Sequence, residues 1–218
     1  MGSLFLVRHA TTDASQAGRN LGQRTDAPLT EGGQRLAEAC GRAIAAERGA
    51  LPDGPLRILS SPALRCRQTA ERIAARLGVD RDALQVEAGL WEIDYGEWEG
   101  LSPEECLRRD PELRPRWEED PYATRTPSGE SGADVASRAF GVLAPVEAWL
   151  AEEPGNAAVV VSHNHVIRLR LAALLGLPMA DYRRRVVVDP GGYSLLTLGD
   201  SGSSIRRLNS LPEIASQA

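Results

Sequence analysis

Short apolar runs alternate along the chain with longer stretches in which apolar residues recur every three or four positions. The runs have the length of buried strands and cover residues 3–8, 56–59 and 157–162. The longer stretches have the spacing of amphipathic helices and cover residues 30–48, 62–77 and 131–152. Strands that alternate with helices are typical of a mostly parallel sheet covered on both faces. The pattern therefore predicts an α/β fold of three layers, α/β/α, with a mostly parallel central sheet.

Residues of capping type mark where the predicted helices begin and end. Thr30 is placed to cap the first helix, and Gly78 ends the second. Residues 131–134, Ser-Gly-Ala-Asp, resemble a capping box with aspartate in place of glutamate. After the third strand we expect a helix and three β-rich segments, at 166–175, 186–188, 192–198 and 204–208.

The segment from residue 79 to about residue 130 lacks this regular pattern. It holds three of the four tryptophans, several prolines and many charged residues. Long irregular segments within compact domains often form lids over active sites. We interpret residues 1–218 as a single domain with a small inserted cap of loops and short helices at about 79–130.

Composition and charge restrict the kinds of partner that we expect. The formal net charge is −5, which gives no electrostatic reason to expect nucleic acid or an anionic membrane as a partner. No apolar run approaches the roughly 20 residues of a membrane-spanning helix, and the start of the chain lacks the pattern of a signal peptide. Cys40, Cys66 and Cys106 lack C-x-x-C spacing, which indicates unpaired thiols rather than a zinc site. We expect a cytoplasmic protein without a bound metal.

Two of the three histidines directly follow apolar runs. His9 stands beside Arg8 after the first run, and His163 follows the third. The carboxyl ends of neighbouring parallel strands open onto one crevice, where ligands bind. A neutral imidazole there can attack phosphorus, and a guanidinium can bind phosphoryl oxygens. An imidazole that merely caps a strand end would give the same pattern, and all 25 basic residues are arginines, so a single arginine is weak evidence.

Two further segments carry candidate chemistry. Arg65 and Arg67 lie just past the second strand, where either could meet the same anion or simply be solvated. Residues 90–100 hold four carboxylates among aromatic side chains, and a carboxyl against tryptophan can have its pKa raised and act as a general acid. A zinc site built on His163 and His165 is an alternative, although no further ligands are evident nearby.

In order along the chain, these segments resemble the signatures of the histidine phosphatase (phosphoglycerate mutase-like) superfamily. Residues 6–12 read L-V-R-H-A-T-T, and residues 26–34 are similar to the family's D-x-P-L-T-x-x-G-x-Q stretch. The similarity continues through S-S-P-x-L-R-x-x-Q-T-A at 60–70, L-x-E-x-x-Y-G-x-W-E-G at 90–100 and P-S-G-E-S at 127–131. It ends near V-S-H at 161–163. Each motif alone is weak, but the ordered set covers most of the chain.

The resemblance implies a role for each matching residue. His9 would be the phosphorylated nucleophile, and Glu92 would protonate the leaving group and later activate water. Arg8, Arg65 and His163 would bind the phosphoryl oxygens. Arg65 takes this role instead of Arg67 because the family arginine stands three residues before the glutamine of Q-T-A.

The chain departs from the family pattern at several positions. Ala10 and Ser128 replace glycines, and Ser15 stands where many members have asparagine. Asn164 and His165 replace a pair of small residues and put a third imidazole near the pocket, where it could touch substrate or face solvent. We expect substrate contacts from a wider set of residues: Thr12, Ser15, Gly22, Glu130, Asn164 and His165.

The resemblance implies a metal-independent phosphomonoesterase, without a cofactor, that hydrolyses a small phosphorylated metabolite through a phosphohistidine. A 2,3-bisphosphoglycerate-dependent phosphoglycerate mutase is the alternative, but the segment between residues 100 and 127 is short, which favours hydrolysis. A catalytically inactive binding module is a further alternative, although every core position is filled. Several arginines of residues 102–126 either contact a second acidic group on the substrate or are solvated. Similar proteins are often homodimers, but nothing in the sequence requires one.

Overall fold

The computed structural model describes residues 1–199 and 202–213, which form a six-stranded sheet with helices on both faces. The strands in chain order are β1 (Gly2–Arg8), β2 (Leu56–Ser60), β3 (Gln85–Val86), β4 (Ala157–Ser162), β5 (Tyr193–Gly199) and β6 (Gly202–Ser210). Their order across the sheet is β3-β2-β4-β1-β5-β6. The first four are parallel to one another. The strand β5 runs antiparallel to β1, and β6 runs antiparallel to β5. The predicted mostly parallel sheet is confirmed.

The long helices begin and end where the capping residues predict. The helices are α1 (Asp13–Gln16), α2 (Glu31–Gly49), α3 (Leu64–Leu77), α4 (Pro103–Arg109), α5 (Leu113–Glu119), α6 (Gly132–Glu152), α7 (Asn164–Leu174) and α8 (Tyr182–Arg185). Thr30 caps α2 by accepting a 2.9 Å hydrogen bond from the Gly33 amide. Gly78 ends α3 in a left-handed conformation, with φ of +68°. Ser131 and Asp134 form the capping box of α6.

The two-residue period of the strands creates two separate cores. Leu4 and Leu6 of β1 pack against one face with α6 and α7, while Phe5 and Val7 pack against the other with α2 and α3. Successive side chains of a strand point to opposite faces, so a continuous apolar run is what a sheet covered on both faces requires. This arrangement is the predicted three-layer architecture, with the strands buried between layers.

Residues 79–130 contain short elements joined by loops. One of them, β3, pairs in parallel with β2 at the edge of the sheet. Ser102 begins α4 with a capping box completed by Glu105. Trp98 and Trp117 are fully buried and meet edge to face, with ring centroids 5.7 Å apart. The two indoles anchor this segment to the core formed by α6 and α7.

Two predicted elements differ from the structure. The segment 186–188 is not a strand, because it does not pair with the sheet. Val186 and Val188 are buried and Val187 is exposed, so the burial of the side chains alternates as it would in a strand. The edge of β1 that this segment could pair with is occupied by β5. The Val188 carbonyl instead accepts a 2.7 Å hydrogen bond from the Arg8 guanidinium. The helix predicted at 166–175 begins earlier, at Asn164, directly after His163.

Across residues 1–199 and 202–213, no helix combines the length and the apolar character needed to cross a bilayer.

Candidate active site

The carboxyl ends of β1 and β4 bring two histidines together. The two strands are parallel neighbours, and Arg8 pairs with Ser162 at the last position of the register. His9 and His163 therefore leave the sheet side by side, with ring centroids 5.3 Å apart and the rings edge to face. The strand pattern predicts this meeting, because parallel neighbours end at the same edge of a sheet.

His9 is held in one tautomer by the backbone. Its Nδ1 lies 2.8 Å from the Ala10 carbonyl oxygen, which can only accept a hydrogen bond. Nδ1 therefore carries the proton, and Nε2 of the neutral ring keeps a free lone pair. Burial, followed by the charges of Arg65 and Arg8, holds the pKa of His9 well below its ordinary value. The imidazole is thus neutral near pH 7 and able to act as a nucleophile.

His163 is held by contacts from two other elements. A guanidinium can only donate, so the Arg65 Nη2 that lies 3.3 Å from His163 Nδ1 requires this nitrogen to be an acceptor. Nε2 then carries the proton and donates to the Ser61 hydroxyl at 2.7 Å. Burial, followed by the charge of Arg65, holds the pKa of His163 well below its ordinary value. This side chain is a neutral, fixed neighbour of His9.

Two guanidiniums flank the histidines without an acidic partner. Arg65 is fully buried and donates to the carbonyls of Gly22 and Thr25, whereas Arg67 is exposed. Among the described residues neither Arg8 nor Arg65 takes part in an ion pair, and Nε of each has no hydrogen-bond partner. This uncompensated positive charge next to His9 favours an anion there.

Glu92 is the acidic group of the same site. It is 5% exposed, and its Oε1 accepts hydrogen bonds from the amides of Ile93 at 2.9 Å and His165 at 3.3 Å. Burial raises the pKa of this carboxyl, and the hydrogen bond from Ile93 partly opposes that rise. A raised pKa suits a group that must hold a proton and then release it to a substrate oxygen.

His9 and Glu92 face one pocket with a volume of about 230 Å³. Its wall is formed by the end of β1, by α1 and the loop after it, by parts of the segment 79–130, and by the first residues of α7 and α8. The lining residues are Arg8, His9, Ser15, Gly18, Arg19, Asn20, Leu21, Glu92, Tyr95, Pro103, Arg114, Asn164 and Arg183. Four arginines and one carboxylate give the pocket a strongly positive character. His163 and Arg65 are fully buried next to it and do not line it.

The remaining predicted contacts fall into two groups. Ser15 and Asn164 line the pocket. Thr12 does not line it: its hydroxyl caps α1 by accepting from the Ser15 amide at 3.1 Å. Glu130 is also outside the lining and forms a two-point ion pair with Arg138, at 2.8 and 2.9 Å. Thr12 and Glu130 therefore hold neighbouring loops in place and have no contact with the pocket.

Gly22 supports Arg65 and does not line the pocket. Its carbonyl accepts a 2.9 Å hydrogen bond from Arg65, while Glu99 accepts hydrogen bonds from four successive amides of residues 22–25. A Cβ at residue 22 would lie 2.3 Å from the Glu99 carboxylate and 2.9 Å from the Ile93 carbonyl. Only glycine fits this close approach, which fixes the loop that holds the guanidinium.

His165 lies away from the pocket, contrary to the expectation of a substrate contact, and it does not face solvent either. It is 1% exposed, with Nε2 2.8 Å from the Tyr95 hydroxyl and Nδ1 2.6 Å from the Tyr182 hydroxyl. Its amide also donates to Glu92, which lines the pocket together with Tyr95. The physical reason is that α7 begins at Asn164, so residue 165 is already in the first helical turn and points into the core.

The structure also contradicts a zinc site built on His163 and His165. The ring nitrogens of the two side chains bond to different groups, namely Ser61 and Arg65 for the first and two tyrosines for the second. In residues 1–199 and 202–213, no group of three or more His, Cys, Asp or Glu side chains is arranged to hold a metal ion.

Several pocket residues have no role in the sequence analysis. Tyr95 belongs to a quoted motif, but only the structure shows that it lines the pocket and that its hydroxyl contacts His165. Arg19, Asn20 and Arg183 come from segments without a distinctive pattern. Because arginine occupies every basic position of the chain, residue type alone could not separate Arg183 from its exposed neighbours.

The three buried histidines should make the stability of the folded protein depend on pH. Burial holds the pKa of His9, His163 and His165 well below 6.5, so the folded protein keeps them neutral while the unfolded chain takes up protons below that pH. Their contribution is fully present above pH 6.5 and is lost as the pH falls, by up to about 1.4 kcal/mol per pH unit for each histidine. Glu92, with its raised pKa, opposes this trend. Denaturant unfolding at pH 7.5 and 5.5 should show lower stability at pH 5.5.

A matched variant makes this test specific. His165→Gln should reduce the slope of the free energy of unfolding against pH between 7.5 and 5.5, whatever its effect on stability at pH 7.5. A wild-type stability that is constant or higher at pH 5.5 would contradict the assignment of neutral buried histidines.

Comparison with known proteins agrees with this geometry. The family model of the histidine phosphatase superfamily (branch 1) matches residues 4–211. The chain is 31% identical to phosphoserine phosphatase 1 of Hydrogenobacter thermophilus over 211 residues, which cover 96% of this chain and 92% of that protein. It is 34% identical to the glucosyl-3-phosphoglycerate phosphatase of Mycobacterium tuberculosis over 185 residues, 82% and 78% of the two chains.

Solved structures show the same similarity. A mycobacterial glucosyl-3-phosphoglycerate phosphatase in complex with VO3 has a TM-score of 0.79 and 29% identity, covering 96% of this chain and 100% of that chain. The same phosphatase with inorganic phosphate has a TM-score of 0.78, with coverage of 97% and 98%. The family match spans nearly the whole chain, and both curated relatives named above are phosphatases. This chain belongs to branch 1 of the histidine phosphatase superfamily and is a phosphatase, a phosphoric monoester hydrolase.

Proposed function

We propose that this phosphatase hydrolyses small phosphorylated metabolites through a phosphohistidine at His9, without a metal ion or other cofactor. The observation that carries the proposal is the fixed tautomer of His9. Its proton is held on Nδ1 by the Ala10 carbonyl, which leaves Nε2 free at a pocket lined by Arg8 and Glu92. A neutral imidazole with a free nitrogen at an anion-attracting pocket is suited to attack on phosphorus.

The first step transfers the phosphoryl group to the enzyme. Nε2 of His9 forms a bond to phosphorus while the bond from phosphorus to the ester oxygen breaks. The protonated carboxyl of Glu92 gives its proton to the departing oxygen, so the product alcohol leaves neutral. The raised pKa of Glu92 keeps the proton available for this step.

The second step returns the enzyme to its starting state. The Glu92 carboxylate takes a proton from water, and the water oxygen attacks phosphorus as the bond to Nε2 breaks. Inorganic phosphate leaves, Glu92 is protonated again, and His9 regains its free lone pair. One water is consumed for each ester hydrolysed.

Fixed cationic groups would stabilise the phosphoryl group in both steps. A hydrogen bond to a charged group contributes about 1.5–3 kcal/mol, so the cationic Arg8 and Arg65 could supply much of the binding that a metal gives in other phosphatases, with the neutral His163 beside them. These groups are held in place before substrate arrives, by the Val188, Gly22 and Thr25 carbonyls and by Ser61. Little reorganisation is therefore needed.

The size of the pocket supports a small substrate. A volume of about 230 Å³ matches a small phosphorylated metabolite. The curated relatives are named for phosphoserine and glucosyl-3-phosphoglycerate, both small phosphorylated compounds. We also propose a cytoplasmic location, because Cys40, Cys66 and Cys106 are free and buried.

A panel of phosphorylated sugars, amino acids, glycerates and nucleotides tests the proposal. We expect stoichiometric release of inorganic phosphate from the small esters, unchanged by a strong chelator. Incubation of 3-phosphoglycerate with 2,3-bisphosphoglycerate distinguishes the mutase, which would form 2-phosphoglycerate with little free phosphate. Mutase activity above hydrolysis, or loss of activity with chelator, would contradict the proposal.

A further inference from the structure

The pocket carries more positive charge than one phosphoryl group requires. Arg8 and Arg65 flank His9 and together match the charge of a phosphate ester, which is close to −2 near neutral pH. Arg114 and Arg183 line the pocket together with Arg8, while Arg65 is buried next to it. Glu92 is the one carboxylate in the lining among the described residues, and the proposed mechanism uses it in the protonated form.

Arg114 is buried but only partly neutralised. Its side chain is 5% exposed, and its Nε and Nη2 donate to one oxygen of Glu118 at 3.0 and 2.7 Å. The Glu118 side chain is 54% exposed, so water screens much of its charge. The third nitrogen, Nη1 of Arg114, has no hydrogen-bond partner in the described part of the chain.

Arg183 shares an aromatic support with Arg114. Its guanidinium carbon lies 4.3 Å from the centroid of the Trp117 ring, and that of Arg114 lies 4.8 Å from the same centroid. Arg183 forms no ion pair among the described residues, whereas its neighbours Arg184 and Arg185 both pair with Asp181. One indole thus holds two guanidiniums at the pocket wall.

Two positive charges in contact with one buried indole repel each other, and an anion near both would relieve that repulsion. Their repulsion is strongest in a partly enclosed pocket, where water screens it least. Cation–π contacts with Trp117 offset part of this cost but do not neutralise the charge. An acidic group on the substrate would neutralise it and gain charge-assisted hydrogen bonds from both planar guanidiniums.

We propose that Arg114 and Arg183 form a second anion subsite, so that the substrate is a phosphate ester that also carries a second acidic group, a carboxylate or another phosphate. This inference rests on the proposed function, since it assumes that the ester phosphate occupies the space next to His9. The subsite selects among phosphorylated metabolites and takes no part in the bond-breaking steps.

Matched esters with and without the second acid provide the test. The carboxylate arm compares 3-phosphoglycerate with glycerol 3-phosphate, and phosphoserine with phosphoethanolamine. The phosphate arm compares fructose 1,6-bisphosphate with fructose 6-phosphate. In the arm whose second acidic group matches the natural substrate, the ester with that group should have a kcat/KM at least about tenfold higher than its partner without it. The difference should lie mainly in KM. Arg183→Gln and Arg114→Gln should bring that ratio close to one.

Arg184→Gln is the matched control, because Arg184 is exposed and absent from the pocket lining. It should leave the ratio unchanged. Equal kcat/KM values within every pair, or a ratio that survives Arg183→Gln, would overturn the subsite. Calorimetric binding of the same pairs to His9→Ala separates the two proposals. A retained, Arg183-dependent binding ratio without hydrolysis by the wild type would support the subsite and contradict the proposed function. A binding ratio near one would overturn the subsite alone.

Discussion

Replacing His9 with alanine should lower kcat/KM for every phosphate ester by roughly 10⁴-fold or more, because the variant has no group that can accept the phosphoryl group. The buried pocket would keep Arg8, Arg65 and His163, which hold their positions through contacts that do not involve the His9 ring. We therefore expect binding of a phosphate ester to remain within a few-fold of wild type. Steady-state kinetics and calorimetry on the same preparation measure both quantities.

The combination of lost turnover and retained binding is the specific signature. A variant that loses binding and turnover together, with an altered thermal unfolding profile, would indicate damage to the pocket instead of removal of the nucleophile. Turnover near the wild-type rate on a good phosphate ester would exclude His9 as the nucleophile.

Glu92→Gln should slow the hydrolysis of alkyl phosphates by about 10²–10⁴-fold, because an alkoxide is a poor leaving group without a proton donor. An aryl phosphate with an acidic leaving phenol needs little protonation, so its first step should be nearly normal. Its second step still needs a base for water. The variant should therefore release about one equivalent of phenol per chain in a rapid burst and then turn over slowly.

Glu97→Gln provides the matched control for this variant. Glu97 belongs to the same acidic segment but is exposed and pairs with Arg109, so its loss should leave both classes of ester unaffected. A general acid must be protonated, so wild-type kcat/KM for an alkyl phosphate should fall as the pH rises through the raised pKa of Glu92. Equal losses of activity for aryl and alkyl esters in Glu92→Gln would contradict this role. So would a fall of kcat/KM at high pH that is the same in Glu92→Gln as in the wild type.

The features that the sequence predicts well are those set by local rules. The alternation of apolar runs and periodic stretches predicts the layers, and Thr30, Gly78 and Ser131 mark helix ends because capping depends on a few neighbouring residues. The meeting of His9 and His163 follows from one additional assumption, that β1 and β4 are parallel neighbours. The pattern of residues 90–100 left four carboxylates as candidates for the general acid. The structure selects Glu92, because of the four only Glu92 is both buried and at the pocket.

The features that the sequence does not predict depend on contacts between distant segments. His165 turns into the core because Tyr95 and Tyr182, 70 and 17 residues away in the chain, offer it two hydroxyls. Arg183 reaches the pocket because Trp117 lies beneath its guanidinium. The apolar alternation at 186–188 satisfies burial without a partner strand, since β5 already occupies the edge of β1. Local pattern cannot distinguish these outcomes.

The most direct test of the account is the isolation of the phosphorylated enzyme. Wild-type protein mixed with a ³²P-labelled ester and quenched in alkali within milliseconds should carry label, because a phosphoramidate is stable in base and labile in acid. Mass spectrometry of the digested protein should place the phosphoryl group on His9, and the His9→Ala protein should carry none. A parallel quench in acid would retain an acyl phosphate, so label that survives acid but not alkali would place the phosphoryl group on a carboxylate such as Glu92. That result, label on any other residue, or turnover with no labelled protein at any time, would contradict the phosphohistidine mechanism.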